Sequence, residues 1–181
     1  MVKSFWAWLG RAPLTDEVDR RNARVIQLLL VFLAVTIPAT LVVALILAWP
    51  QLRGHAVPPG LVVSLTMSLL IGVCAAIGFV RVRQGALRGA VRLVLGAMLG
   101  SLLVNAAIHG FQKQLPDQLA QMLMLILAGL VLGRRALWMT FAALLLMLCV
   151  GVGHDALLEL TDTPAQAFYN VLPVLFSYLL V

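Results

Sequence analysis

The chain has 181 residues, 62% of them hydrophobic and only 11% charged, with a formal net charge of +6 and a mean hydropathy of +1.04. Too few polar groups are present to cover a folded surface in water, which excludes an ordinary soluble domain and points to a membrane protein. The positive charge does not indicate nucleic acid, because the basic residues sit at the flanks of apolar runs and are not gathered on one soluble face with interleaved aromatics.

The opening MVKSFWAWLGRAP sets Phe5, Trp6, Trp8 and Leu9 beside Lys3 and Arg11, a composition suited to a short segment lying in the cytoplasmic interface. It is too short in its apolar part for a secretory signal and lacks a small-residue cleavage site. In the following LTDEVDRRNARV, Thr15 is placed to cap a helix with Asp16, Glu17 and Asp19 in its first turns. That helix is expected to run straight into the first span, with residues 1–24 forming a cytoplasmic arm.

Crossing a hydrocarbon core of roughly 30 Å takes about 20 helical residues. Windows of that kind recur at Val25–Trp49, Gly60–Val80, Leu93–Ile108, Asp117–Leu132, Ala136–Val152 and Ala165–Val181. Backbone groups in lipid must be satisfied within their own segment, and no window alternates as a barrel strand would, so helices are predicted. The expected fold is all-α, a polytopic bundle of six transmembrane helices over residues 25–181.

Lys and Arg counted flank by flank give the direction. Lys3, Arg11, Arg20, Arg21, Arg24, Arg81, Arg83, Arg88, Arg92, Arg134 and Arg135 fall on one side, against Arg53 and Lys113 on the other. The richer side is cytoplasmic, which gives an N-in/C-in topology and makes anionic lipid headgroups natural partners. The last window has no basic residue at its far end, so the chain is read as cut within its sixth helix.

Polar residues inside the windows are few and mild: Thr36, Thr40, Ser64, Thr66, Ser68, Ser101, Asn105, Asn170, Ser177 and Tyr178. No charged side chain sits at mid-depth, which weakens an ion-coupled transporter. Cys74 and Cys149 fall at depths differing by roughly 15 Å at about 1.5 Å per residue, so they form no disulfide and read as small packing residues. Nucleotide-binding loops and hydrolase elbows are absent, and no cofactor or metal is expected.

Three histidines, His55, His109 and His154, end up on the outer side. With Asn105 one turn below His109 and Asp155 beside His154, they are placed to rim a shallow pocket that takes a ligand or a metal or senses pH. The plain alternative is that helix ends are where wet polar residues belong. Pro38 and Pro173 mark possible kinks in the first and last helices. Gly96 and Gly100, and Gly129 and Gly133, have the spacing that lets membrane helices approach closely, toward a helix of this chain or a second copy.

The stretch LILAGLVLGRRALWMTFAALLLML resembles the fourth and fifth helices of the six-span N-terminal sensory modules that precede bacterial histidine kinases, PAS-containing kinases and diguanylate cyclases, and DRRNARVIQLLLVF is similar to their lead-in to the first span. The resemblance implies that Gly129, Gly133, Arg134 and Arg135 form a structural signature of the hairpin turn, and that the protein is a homodimer in the bacterial inner membrane. It also implies that an output domain lies beyond the last residue, while the spans detect a small apolar molecule, a lipid or a membrane state. From other classes, a small transporter or channel subunit would show a polar mid-membrane path or inverted repeats, and a haem or redox protein would use His109 and His154.

Overall fold

The computed structural model describes residues 17–52, 59–110, 118–157, 171–175 and 177–178, and these are helical apart from short turns, with no strand among them. Helix α1 is Glu17–Leu52, α2 Pro59–Arg83, α3 Leu87–His109, α4 Gln118–Leu127 and α5 Arg134–Leu157; between α4 and α5 lies a π-helical turn, Ala128–Leu132. Residues 171–175 and 177–178 are helical too. Four stretches, Asn22–Ile46, Gly60–Arg83, Leu87–His109 and Arg134–Leu157, are long and apolar enough to cross a membrane.

At the expected fourth crossing, Asp117–Leu132, the described residues 118–132 are all helical, ten α and five π, about 22 Å at most at the α-helical rise. Residues 17–24 of the arm and the first span form one unbroken helix of 36 residues, Glu17–Leu52, through Pro38, roughly 54 Å long and so longer than the hydrocarbon core. His55 and Thr15, and most of residues 165–181, lie outside the described residues.

The chain forms two compact units, Met1–Ala97 and Met98–Val181, divided within α3. In the first, α1 and α2 pack antiparallel along most of their lengths. The Pro38 ring seats against Gly72, its Cγ and Cδ 3.6 Å from where a Cβ would stand, and nearer the other end Gly78 receives Leu30 Cδ2 at 3.5 Å and Val94 Cγ2 at 3.1 Å. Gly78 is thus where α1, α2 and α3 meet, surrounded by the buried Ala75, Val82, Ala90 and Val94. The α2–α3 turn closes as a Schellman motif: Ala86 N–H donates to the Arg81 carbonyl at 2.9 Å and Gly85 N–H to that of Val82 at 3.0 Å.

In the second unit each helix buries one stripe at i, i+3/i+4 spacing. Met98, Ser101, Leu102 and Ala106 do so on α3, and Gln121, Met124, Leu125 and Ala128 on α4. On α5 the stripe is Thr140, Leu144, Met147, Leu148, Gly151 and Asp155, and Val174 and Tyr178 repeat the spacing one turn apart. The opposite faces carry Ile126, Leu130, Trp138, Met139 and Leu146, all exposed, as a lipid-facing surface requires and a watery one would not tolerate.

Of the two partners expected for Gly96 and Gly100, a helix of this chain finds no support among the described residues: both glycines are exposed, and a Cβ on either would meet nothing within 4 Å. Close approach within the described chain runs through the isolated Gly72 and Gly78. Cys149 is exposed rather than packed, and both cysteines are free thiols.

Candidate functional site

Hydroxyls inside the apolar helices turn back onto their own backbone. Thr36 donates to the Phe32 carbonyl at 2.7 Å, Thr40 to that of Ile37 at 2.8 Å, Thr66 to that of Val62 at 2.8 Å and Ser68 to that of Ser64 at 2.9 Å. An unsatisfied hydroxyl in hydrocarbon is costly, and the carbonyl three or four residues back is the nearest acceptor. These side chains therefore build no polar path from helix to helix.

At the α4–α5 hairpin a single residue, Gly133, carries the chain from one helix to the next. Its φ of 88° and ψ of −177° lie in a region essentially closed to residues with a Cβ, and its N–H donates to the Ala128 carbonyl at 3.1 Å, closing the π turn. Gly129 faces Leu137 across the hairpin, at 3.5 Å from where a Cβ would stand. Arg134 and Arg135 are exposed in the first turn of α5. A cation there opposes the helix macrodipole by about 0.3–1 kcal/mol, so local helix energetics do not account for the pair. Trp138, exposed one turn on, stacks edge-to-face with Phe141 at 5.8 Å between centroids. Arginines with an exposed tryptophan form the usual pattern of a helix end at a lipid interface.

The ends of α3 and α5 meet at a second cluster. Gly110, just past the end of α3, has a φ of +75°, and a Cβ there would overlap the Asp155 carboxylate and stand 3.0 Å from His154 Nδ1. Asp155 is only 2% exposed, and His154 Nδ1 lies 3.5 Å from its Oδ1. The expected rim is therefore different in form: Asp155 points inward, into space that Gly110 leaves vacant. His109 is half-buried beside this contact, and the Asn105 amide donates down its own helix to Ser101 Oγ at 3.4 Å.

A third polar contact was not foreseen. The Tyr178 hydroxyl donates to Gln121 Oε1 across 57 residues of sequence, with Gln121 2% and Tyr178 3% exposed. Gln121 belongs to the first turn of α4. Gln27 and Thr140 are buried as well, and Gln27 Oε1 accepts no hydrogen bond among the described residues. An amide inside an apolar window was the available signal for both glutamines, since such a group in lipid requires a partner.

Between α1 and α2 lies an apolar groove of about 320 Å³ lined by Pro38, Leu41, Val42, Leu45, Leu65, Thr66 and Leu69. Because the Thr66 hydroxyl is already bonded to the Val62 carbonyl, the groove offers shape and apolar surface only. Among the described residues no three His, Cys, Asp or Glu side chains are grouped as metal ligands would be. Compared with protein-family models, with curated proteins and with solved structures, the chain matches none.

Proposed function

We propose that this chain is the membrane-embedded sensory and anchoring module of a bacterial inner-membrane signalling protein. Six spans with both ends cytoplasmic would hold it as a homodimer, and a shift between two helix packings would pass through residues 165–181 to a histidine kinase or diguanylate cyclase domain. The observation that carries this reading is the buried Tyr178–Gln121 hydrogen bond. It ties the last described helical residues to α4, so a change in how α4 packs is transmitted mechanically to the segment that would lead out of the module.

Three further features support it. The LAGLVLGRR turn resembles the corresponding turn of such modules, and its exposed Arg134 and Arg135 suit anionic headgroups on a cytoplasmic face. The α1–α2 groove has the size and apolar lining for an acyl chain or a small apolar molecule. Such a ligand shifts a packing equilibrium only by binding one arrangement better than the other. Transport is less well supported, since the hydroxyls within the spans bond to their own helices.

Reading the coding sequence beyond Val181 tests the proposal. A continuing helix followed by kinase or cyclase motifs is expected, and a stop codon at that point overturns it.

A further inference from the structure

Arg134 and Arg135 open α5 with no opposite charge near them in the chain. No acidic residue occurs between Asp117 and Asp155, and neither arginine forms an ion pair among the described residues. Both side chains are exposed. Their place in the first turn sets each of them against the helix macrodipole. An anion held between them reverses that disadvantage.

What carries the anion follows from the rest of the helix face. Below Arg135 the exposed residues of α5 are Trp138, Met139, Ala142, Leu146 and Cys149, which recur at i, i+3/i+4 spacing and so form one apolar stripe running away from the arginines. Trp138 is 58% exposed and Met139 74%, and Phe141 holds the Trp138 ring edge-to-face at 5.8 Å between centroids. In the row Trp138, Ala142, Leu146, one turn apart, the small middle residue makes the surface shallow. A soluble anion would use the arginines alone. A second copy seated on this stripe about a two-fold axis along the helices would meet the same patch, setting Arg135 against Arg135. A molecule with an anionic head and acyl chains answers the charge, the tryptophan and the stripe together.

We infer that the start of α5 is a docking site for an anionic phospholipid: Arg134 and Arg135 hold its phosphate, Trp138 lies at the depth of its glycerol esters, and one acyl chain runs over Ala142 and Leu146. The guanidinium fork matches phosphate oxygens bidentately. A zwitterionic lipid is the poorer ligand, because its own ammonium group competes for the phosphate. Gly133 contributes by fixing the backbone. A single residue joins the two helices and its N–H closes the π turn, so the arginine side chains alone adjust to the headgroup. The site rests on the chain being embedded in lipid, and neither on the side the hairpin faces nor on an output domain following.

The test follows Trp138 fluorescence in the whole chain carrying Trp6→Phe, Trp8→Phe and Trp49→Phe, reconstituted in phosphatidylcholine vesicles. Phosphatidylglycerol or phosphatidylcholine brominated on its acyl chains is added at equal mole fraction, and quenching reads how often each lipid lies against the ring. Both leaflets have the same composition, so orientation does not enter. Phosphatidylglycerol is expected to be preferred by about fivefold for each arginine at low salt. Arg134→Gln with Arg135→Gln should abolish the preference, and Arg81→Gln with Arg92→Gln should leave it. Should the tryptophan replacements disturb folding, native mass spectrometry of the chain with all its tryptophans gives the second readout: the Arg134→Gln, Arg135→Gln variant retains fewer phosphatidylglycerol molecules than the native chain. Equal quenching by the two lipids, a preference that survives Arg134→Gln with Arg135→Gln, or one lost equally in the Arg81 and Arg92 variant overturns the site, as does an unchanged lipid count.

Discussion

The Tyr178 hydroxyl donates to the side-chain oxygen of Gln121, and both residues are buried. Tyr178→Phe removes the donor without changing the ring, so the loss measures the bond and the orphaned amide oxygen together. Hydrogen bonds between membrane helices average about 0.6 kcal/mol and reach about 1.7 kcal/mol, and this one should fall in the upper part of that range. A double-mutant cycle with Gln121→Leu, read by unfolding in detergent, should show strong coupling: Tyr178→Phe costs little once Gln121 is gone. Additive losses would mean that the two side chains do not depend on each other.

Gly78 and Gly96 should respond in opposite ways to the same substitution. A Cβ at Gly78 stands 3.1 Å from Val94 Cγ2, with Leu30 and the Ala90 carbonyl behind it, whereas Gly96 and Gly100 face nothing within 4 Å. Gly78→Leu is expected to destabilise by about 1–3 kcal/mol or more through overpacking. Gly96→Leu and Gly100→Leu should leave the monomer's unfolding unchanged. If that open face is the homodimer contact, the same two variants shift the chain to monomer in a cross-linking or sedimentation assay.

At Gly133 the backbone decides the outcome rather than space. With φ 88° and ψ −177° and no neighbour within 4 Å of a Cβ, Gly133→Ala should cost about 1–3 kcal/mol as strain. Gly133→Asn should do no better, because asparagine eases the left-handed helical region and not this extended one. At Gly85, with φ 85° in a Schellman turn, asparagine should be tolerated far better than alanine. Thermal unfolding of the four variants separates the two turns.

Arg134 and Arg135 oppose the dipole of α5, so replacing both by serine should relieve the helix of roughly 0.3–1 kcal/mol per residue while weakening the hairpin's orientation. A cysteine introduced at Ala136 should be protected from impermeant thiol reagents in intact cells when the arginines are present. It should become partly labelled when both are gone, in a background lacking Cys74 and Cys149. Unchanged protection would show that other basic flanks alone fix the topology.

The sequence by itself determined that the described chain is helical and that it carries stretches with the length and apolarity to cross a membrane; six were expected, and four have that length among the described residues. Both follow from a local property, window length against bilayer thickness, whereas the place of Gly133 in the turn was implied by resemblance and its backbone requirement shows only in the fold. The sequence also determined that Cys74 and Cys149 stay free. Tertiary structure alone decided which face of each helix turns inward. Around a soluble helix, polarity marks the solvent side; here the solvent is lipid, both faces are apolar, and rotation about the helix axis leaves no trace in hydropathy. That is why the Gly96–Gly100 pair, legible as a packing motif, faces outward while Gly72 and Gly78 take the contacts. It is also why Asp155, placed by sequence at a wet rim, is buried against Gly110. Gln121 and Tyr178 lie 57 residues apart, and only packing within the second unit makes each the other's partner.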